Sequence, residues 1–95
     1  MYLKIHRVPG AGDIVAVCDR ELINTTIRHE KLTVTISEGF YGKDLVTEQE
    51  VRDALNTAGN INLMGERATG VAIAMGILTR DGCIMIGSVP HAQIF

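Results

Sequence analysis

The stretch that decides the fold spans residues 60–76 and reads Asn-Ile-Asn-Leu-Met-Gly-Glu-Arg-Ala-Thr-Gly-Val-Ala-Ile-Ala-Met-Gly. Its first part has the apolar content of a short strand, Gly65 marks a turn, and residues 66–75 form a helical pattern with almost no polar face. A strand that leads into a helix through a glycine predicts an α/β unit whose helix packs on a sheet. The N-terminus of that helix presents free backbone N–H groups, which suit an anion or a carboxylate. The unit therefore indicates where a site could lie, but not which chemistry it performs.

The rest of the chain supplies the remaining strands and one more helix. Thr47 and Glu50 form a capping-box pattern that begins a helix, and Gly59 is expected to end it. The polar residues 24–30 and the glycine-flanked residues 38–44 are interpreted as loops. Further strands are predicted at residues 2–8, 14–18, 32–37 and 83–86, and residues 91–95 form a last edge segment. The pattern predicts an α/β (or α+β) fold over residues 1–95, one domain with a mixed sheet of about five strands and two main helices.

Composition excludes several classes of protein. The 95 residues carry a net charge of -2, and their nine lysines and arginines form no run, which argues against strong non-specific nucleic-acid binding. Cys18 and Cys83 each lie inside an apolar run, as expected for buried thiols in a reduced compartment. No apolar run approaches the ~18 residues that span a membrane. We therefore expect a cytoplasmic protein with no membrane partner.

The sequence gives no sign of a metal or a cofactor. The histidines and cysteines show none of the paired spacings that mark a zinc site. The glycines around Gly65 are too few for a phosphate-binding fingerprint, and Glu66 would compete with an anion there. We expect neither a metal site nor a bound cofactor.

A small set of residues could support catalysis. Cys18 and Asp19 end a buried strand, and a cysteine nucleophile would need a base such as His91. These residues form no motif, so we favour packing for Cys18 and helix capping for Asp19. The alternative is a small enzyme that uses Cys18 or His91, with Asp19, Glu38 or Glu66 as acid or base.

Candidate binding residues lie at the predicted strand ends. Phe40 and Tyr41 could clamp a base or a partner's side chain, although we favour Phe40 folding back onto the core. Asn62 lies inside an apolar strand, so its amide must bond a neighbouring loop or face a cleft. The glycine at Gly65 would let a ligand approach the backbone. The complete set is Glu38, Phe40, Tyr41, Asn62, Gly65, Glu66, Arg67, His91 and Gln93.

Five short blocks carry most of these residues. They are Tyr2-x-Lys4-x-His6, Val-Ala-Val-Cys-Asp at 15–19, Ser-Glu with Phe-Tyr-Gly at 37–42, Asn-Leu-Met-Gly-Glu-Arg-Ala at 62–68, and Val-Pro-His-Ala-Gln at 89–93. In order and spacing, over nearly the whole chain, they resemble a small archaeal protein family, domain of unknown function 424. The chain departs from that family at residues 24–26, where Asn-Thr-Thr replaces a glycine turn. The resemblance implies an archaeal cytoplasmic protein without an established activity, with a role related to RNA or translation.

The leading hypothesis is a non-catalytic binding module for RNA or a ribonucleoprotein. It would use the Phe40–Tyr41 segment, the helix start at Gly65 and residues 91–93. A structural homo-oligomer is a further alternative, because Gly70 and Ala74 give the second helix a small-residue face. The hypotheses differ in whether the polar blocks converge in the folded chain.

Overall fold

The structure is a mixed five-stranded sheet with two helices on one face and a hairpin and a one-turn helix on the other. A computed structural model describes residues 1–10 and 12–95. The helices are α1 Glu38–Tyr41, α2 Glu48–Thr57 and α3 Glu66–Ala74, with short 3-10 turns at Arg20–Leu22 and Arg80–Gly82. The strands are β1 Tyr2–Val8, β2 Gly12–Cys18, β3 Thr25–His29, β4 Leu32–Ile36, β5 Asn60–Met64, β6 Ile84–Ile86 and β7 Val89–Ile94.

The strands of the main sheet follow the order β1-β2-β5-β7-β6, and β3 pairs with β4 in a separate two-stranded sheet. β2 and β5 are parallel, and the other three neighbouring pairs of the main sheet, β1–β2, β5–β7 and β7–β6, are antiparallel. The chain therefore crosses over between β2 and β5, and α2 lies in that connection. The predicted fold class is confirmed as α+β, with five strands in one mixed sheet and two main helices.

The first face of the sheet packs against α2 and α3. Its aliphatic core joins Val17 and Leu63 of the central strands to Leu55 of α2 and Ala72 of α3. The capping box at the start of α2 is confirmed, since the Thr47 side chain accepts from the Glu50 backbone and Glu50 bonds back. The predicted end of this helix is also in place, since α2 ends at Thr57, Ala58 is the C-cap and Gly59 follows at the C′ position. Gly59 does not, however, adopt the left-handed conformation that is common for a helix-ending glycine.

The second face carries a smaller cluster under the β3–β4 hairpin and α1. Ile36 and Tyr41 cover Ala16, Cys18 and Met64 there. The hairpin and α1 include parts of both segments that were predicted to be loops, residues 24–30 and 38–44. Residues 25–29 are strand β3, because their threonines and isoleucine suit a pleated, half-buried surface, and residues 38–41 form the helical turn α1.

The last segment was also predicted wrongly as an edge. β7 lies between β5 and β6, so it is an internal strand of the main sheet. Pro90 is buried within β7, and its carbonyl accepts the Gly65 N–H at 2.9 Å. Within the part of the chain described, no helix has the length and apolar composition needed to cross a bilayer.

Candidate functional site

The candidate residues chosen from sequence separate into two groups in the structure. One group lies on the second face of the sheet, and the other lies at the end of the sheet where α3 begins. A residue's face follows from its register, because successive side chains of a strand point to opposite faces.

A polar row crosses the second face. Lys4, Ala16, Asn62 and Gln93 are successive cross-strand neighbours on β1, β2, β5 and β7. Adjacent strands lie about 4.8 Å apart, so the row extends roughly 14 Å across the sheet. Gln93 is exposed and Asn62 is partly exposed, whereas Ala16 is buried. Two side-chain amides therefore lie next to each other on a part of the face that is open to solvent.

A second row on the same face lies two residues further along each strand. Met64 of β5 pairs with His91 of β7, which pairs with Ile84 of β6. The His91 Nδ1 atom lies 2.8 Å from the Leu63 carbonyl oxygen. Because a carbonyl only accepts, Nδ1 carries the proton, and Nε2 of the neutral ring is left as an acceptor. Ile84 is 67% exposed and places an apolar side chain beside this acceptor.

The one-turn helix α1 brings Tyr41 to the polar row. The Tyr41 hydroxyl donates to Asn62 Oδ1 at 2.6 Å. Burial raises the pKa of Tyr41, so the phenol remains a protonated donor. This bond orients the Asn62 amide and leaves its Nδ2 group to donate elsewhere. The Asn62 amide, for which the sequence required a partner, is thus bonded by Tyr41 of α1 and is at the same time partly exposed to solvent.

Phe40 lies over β1, beside Tyr41. Its ring stacks on His6 with centroids 4.8 Å apart, and it meets Tyr41 edge-on at 4.9 Å. Two bonds hold α1 on β1, since His6 Nε2 donates to the Phe40 carbonyl at 2.7 Å and Lys4 Nζ donates to the Gly39 carbonyl at 3.0 Å. The aromatic pair therefore has a fixed position beside the amides.

The second group centres on Asp19, which caps α3. Its carboxylate accepts the Arg67 N–H at 3.0 Å and the Ala68 N–H at 2.8 Å. Burial raises the pKa of Asp19, against the opposing effect of these two backbone bonds. A Cβ atom on Gly65 would lie 2.3 Å from the Asp19 carboxyl carbon. The anion position that the sequence indicated at this helix start is filled by the chain's own carboxylate.

The remaining charged candidates are exposed residues at the starts of α1 and α3. Glu66 forms an exposed ion pair with Arg80 at 3.2 Å. Glu38 is exposed at the start of α1, where its backbone N–H donates to the Asn24 side chain. Arg67 is exposed on α3. The structure does not bring these residues together with Asn62 and Gln93.

Cys18 is placed for packing and not for catalysis. Its side chain is fully buried. Its pKa is raised to about 12, mainly by this burial and to a smaller extent by the neighbouring Asp19 charge. Met64 lies between Cys18 and His91 in the cross-strand row, so the two are separated by two strand spacings, about 10 Å. The geometry therefore offers no cysteine–histidine pair. Among the residues that the structure describes, no group of three His, Cys, Asp or Glu side chains is arranged to hold a metal ion.

Sequence reasoning missed three members of the second face. Lys4 and His6 were noted only as part of the first of the five blocks, and Ile84 was assigned to an apolar strand without a role. A signal was present in the spacing, because Lys4 with His6 and His91 with Gln93 are both two residues apart, and such residues share one face of a strand.

The geometry can now be compared with known proteins. No curated protein matches the chain. One solved structure that matches is described as the crystal structure of an uncharacterized conserved protein from Methanopyrus kandleri. It has a TM-score of 0.80 and 28% sequence identity, over 98% of this chain and 88% of that chain. The family described as "Protein of unknown function (DUF424)" matches residues 6–95. The resemblance seen in the five blocks is confirmed, and the chain belongs to the DUF424 family.

Proposed function

We propose that the protein is a non-catalytic binding module that holds single-stranded RNA on the open part of its second sheet face. We call this surface the open face and define it by Asn62, Ile84, His91 and Gln93, with Phe40 at its rim. The observation that supports the proposal most is the pair of adjacent amides, Asn62 and Gln93, on a solvent-facing sheet surface. An archaeal, cytoplasmic setting follows from the family resemblance and is part of the proposal.

The open face offers the bonding groups that a nucleobase edge requires. Gln93 can both donate and accept, Asn62 Nδ2 can donate, and His91 Nε2 can accept. Proteins read unstacked RNA bases by hydrogen bonds to their edges, and they stack the bases on aromatic or apolar surfaces. Phe40 and Ile84 flank the polar groups and can supply that surface. Duplex RNA presents no such edges to a flat sheet, so the proposal concerns single strands.

The charge of this surface sets the expected salt dependence. Lys4 is the cation in the polar row, and its Nζ already donates to the Gly39 carbonyl. For single strands, the logarithm of the association constant falls linearly with the logarithm of the salt concentration, with a slope of about -0.7 for each phosphate contact. With one lysine, and a chain of net charge -2, we expect one phosphate contact and a slope near -0.7. Binding should therefore come mainly from the bases.

Fluorescence anisotropy with labelled RNA tests the proposal directly. The probe is a mixed-sequence single strand of about eight nucleotides, within the usual size range for one small domain. The variant is Gln93→Ala, because Gln93 is exposed and has no structural partner among the described residues. The matched control is Gln49→Ala on α2, an exposed glutamine that bonds only Asp53.

Gln93→Ala should weaken binding about fivefold to tenfold, the loss expected for about one hydrogen bond. Gln49→Ala should bind like the wild type, and a duplex of the same sequence should bind less tightly than the single strand. Absence of single-strand binding at any salt concentration, or equal weakening by both variants, would overturn the proposal.

A further inference from the structure

A groove lies on the opposite side of the sheet, between α2 and α3. It has a volume of about 590 Å³ and an opening to solvent. Val46 and Val71 supply apolar walls, while Glu48, Arg52 and Arg67 supply charged groups. This surface is separated from the open face by the sheet itself, so it is independent of the proposed RNA site.

The groove exists because one face of α3 has small side chains. Arg67, Gly70, Val71 and Ala74 are spaced three and four residues apart, so they share a helix face. A Cβ atom placed on Gly70 would meet no other atom within 4 Å. The small-residue face of Gly70 and Ala74, considered from sequence as a possible homo-oligomer contact, forms the floor of an empty space within this chain.

The two arginines give the groove a positive character. Arg52 Nε lies 3.1 Å from the Glu48 carboxylate, so one positive charge is compensated. Within residues 1–10 and 12–95, the ion pairs are Arg7–Asp13, Arg52–Glu48 and Arg80–Glu66, and none of them includes Arg67. The lining side chains Glu48, Arg52 and Arg67 therefore carry a net charge of +1 in a chain whose net charge is -2. Arg67 has its guanidinium available for an anion.

We propose that this groove binds a small organic oxyanion with an apolar body, the oxyanion being a phosphate or a carboxylate. Arg67 pairs with the oxyanion, since a guanidinium presents a planar fork of donors that matches both groups. Arg52, held by Glu48, adds a second donor on the opposite wall. The apolar body packs on Val46 and Val71. The volume lies within the range of about 300–1,000 Å³ that small-molecule sites occupy.

Titration of the ¹⁵N-labelled full chain, followed by amide chemical shifts, tests the site. The probes are phenyl phosphate and phenylacetate, with neutral benzyl alcohol as the uncharged comparison. The two anions share the apolar ring and differ in the oxyanion, so the one that binds more tightly identifies the head group. Saturable shifts are expected for amides of residues 48–52 and 67–74 with at least one anion, and not with benzyl alcohol.

Four variants locate the binding. Arg67→Gln should weaken the anion about tenfold or more, as expected for the loss of a hydrogen bond to a charged group. Arg80→Gln is the matched control, because Arg80 is an exposed arginine outside the groove, and it should leave the affinity unchanged. Gly70→Leu fills the groove and should abolish saturation, and its helix position favours leucine over glycine. Ala74→Leu obstructs the same space and provides a second filled variant if the first alters the spectrum globally.

The proposal is overturned if neither anion gives saturable shifts in this region. It is also overturned if Arg80→Gln weakens binding as much as Arg67→Gln, because the anion would then respond only to overall charge. Unchanged affinity in both filled variants would place the anion elsewhere and would exclude the groove.

Discussion

The contact between Gly65 and Asp19 predicts that a single added methyl group will destabilise the fold. Gly65 has φ 112° and ψ 164°, a backbone conformation that is essentially restricted to glycine. A Cβ atom there would lie 2.3 Å from Asp19 Cγ and 2.6 Å from both carboxylate oxygens. Gly65→Ala must therefore strain the backbone and displace the carboxylate that caps α3.

The cost can be estimated from these two effects. A non-glycine residue in such a conformation costs about 1–3 kcal/mol. Loss of a helix cap costs about 1 kcal/mol more. The sum of about 2–4 kcal/mol is a large part of the 5–15 kcal/mol typical of a folded domain. For a domain of this size it corresponds to a fall in Tm of roughly 10–30 °C.

Urea unfolding followed by circular dichroism measures this loss. The matched control is Gly59→Ala, because Gly59 lacks a positive φ and a Cβ there would meet no atom within 4 Å. It should change the stability by less than about 0.5 kcal/mol. The double variant Asp19→Ala/Gly65→Ala separates the contact from the backbone strain. Since the carboxylate is already gone, its cost should be about 1 kcal/mol smaller than the sum of the single variants. Equal stability of the two glycine variants, or exact additivity in the double variant, would refute this reasoning.

Three further predictions concern buried polar groups. Burial in the folded chain raises the pKa of Asp19 above its usual value of 3.8, so ionisation of this carboxyl group disfavours the folded state. The free energy of unfolding of the wild type, relative to that of Asp19→Asn, should therefore fall as the pH rises from 3.8 through the raised pKa. A relative rise of that free energy in urea titrations would contradict this. A thiol reagent should modify the partly exposed Cys83 in the native protein but not Cys18, because Cys18 is buried and its burial raises its pKa to about 12. Equal labelling of the two cysteines in mass spectrometry would contradict this. Tyr41→Phe should lower the free energy of unfolding by about 1 kcal/mol, because the bond to Asn62 is lost, and an unchanged urea midpoint would show that this bond contributes nothing.

Local signals in the sequence predicted the elements that depend on neighbouring residues. The α3 unit was readable because Gly65 separates an apolar strand from a nearly polar-free helix, and α2 was readable from the capping pair Thr47 and Glu50. β7 was misjudged because its place depends on pairing with β5 and β6, which lie elsewhere in the chain. Its Pro90 also carries a local signal for a break, and burial in the sheet overrides that signal.

The sequence indicated several residues of the candidate site but not how they are arranged in space. Asn62 was selected because an amide inside an apolar strand needs a partner or a ligand, whereas His91 and Gln93 were selected because they lie in a polar block at a predicted strand end. Their placement in rows requires the register of β5 with β7, which no short window of sequence contains. Asp19 shows the same limit. A helix-capping role was expected for it, but the N–H groups that it caps belong to Arg67 and Ala68, which lie 48 and 49 positions later in the chain.

A map of amide chemical shifts during titration with the single-stranded RNA probe would show directly whether RNA binds the open face. The shifts should concentrate on β5, β6 and β7 near Asn62, Ile84 and Gln93, and on α1 near Phe40. Amides of α2 and α3 on the other side of the sheet should remain unchanged. Shifts confined to α2 and α3, or a spectrum unaffected by RNA, would contradict the assignment of the open face as the binding surface.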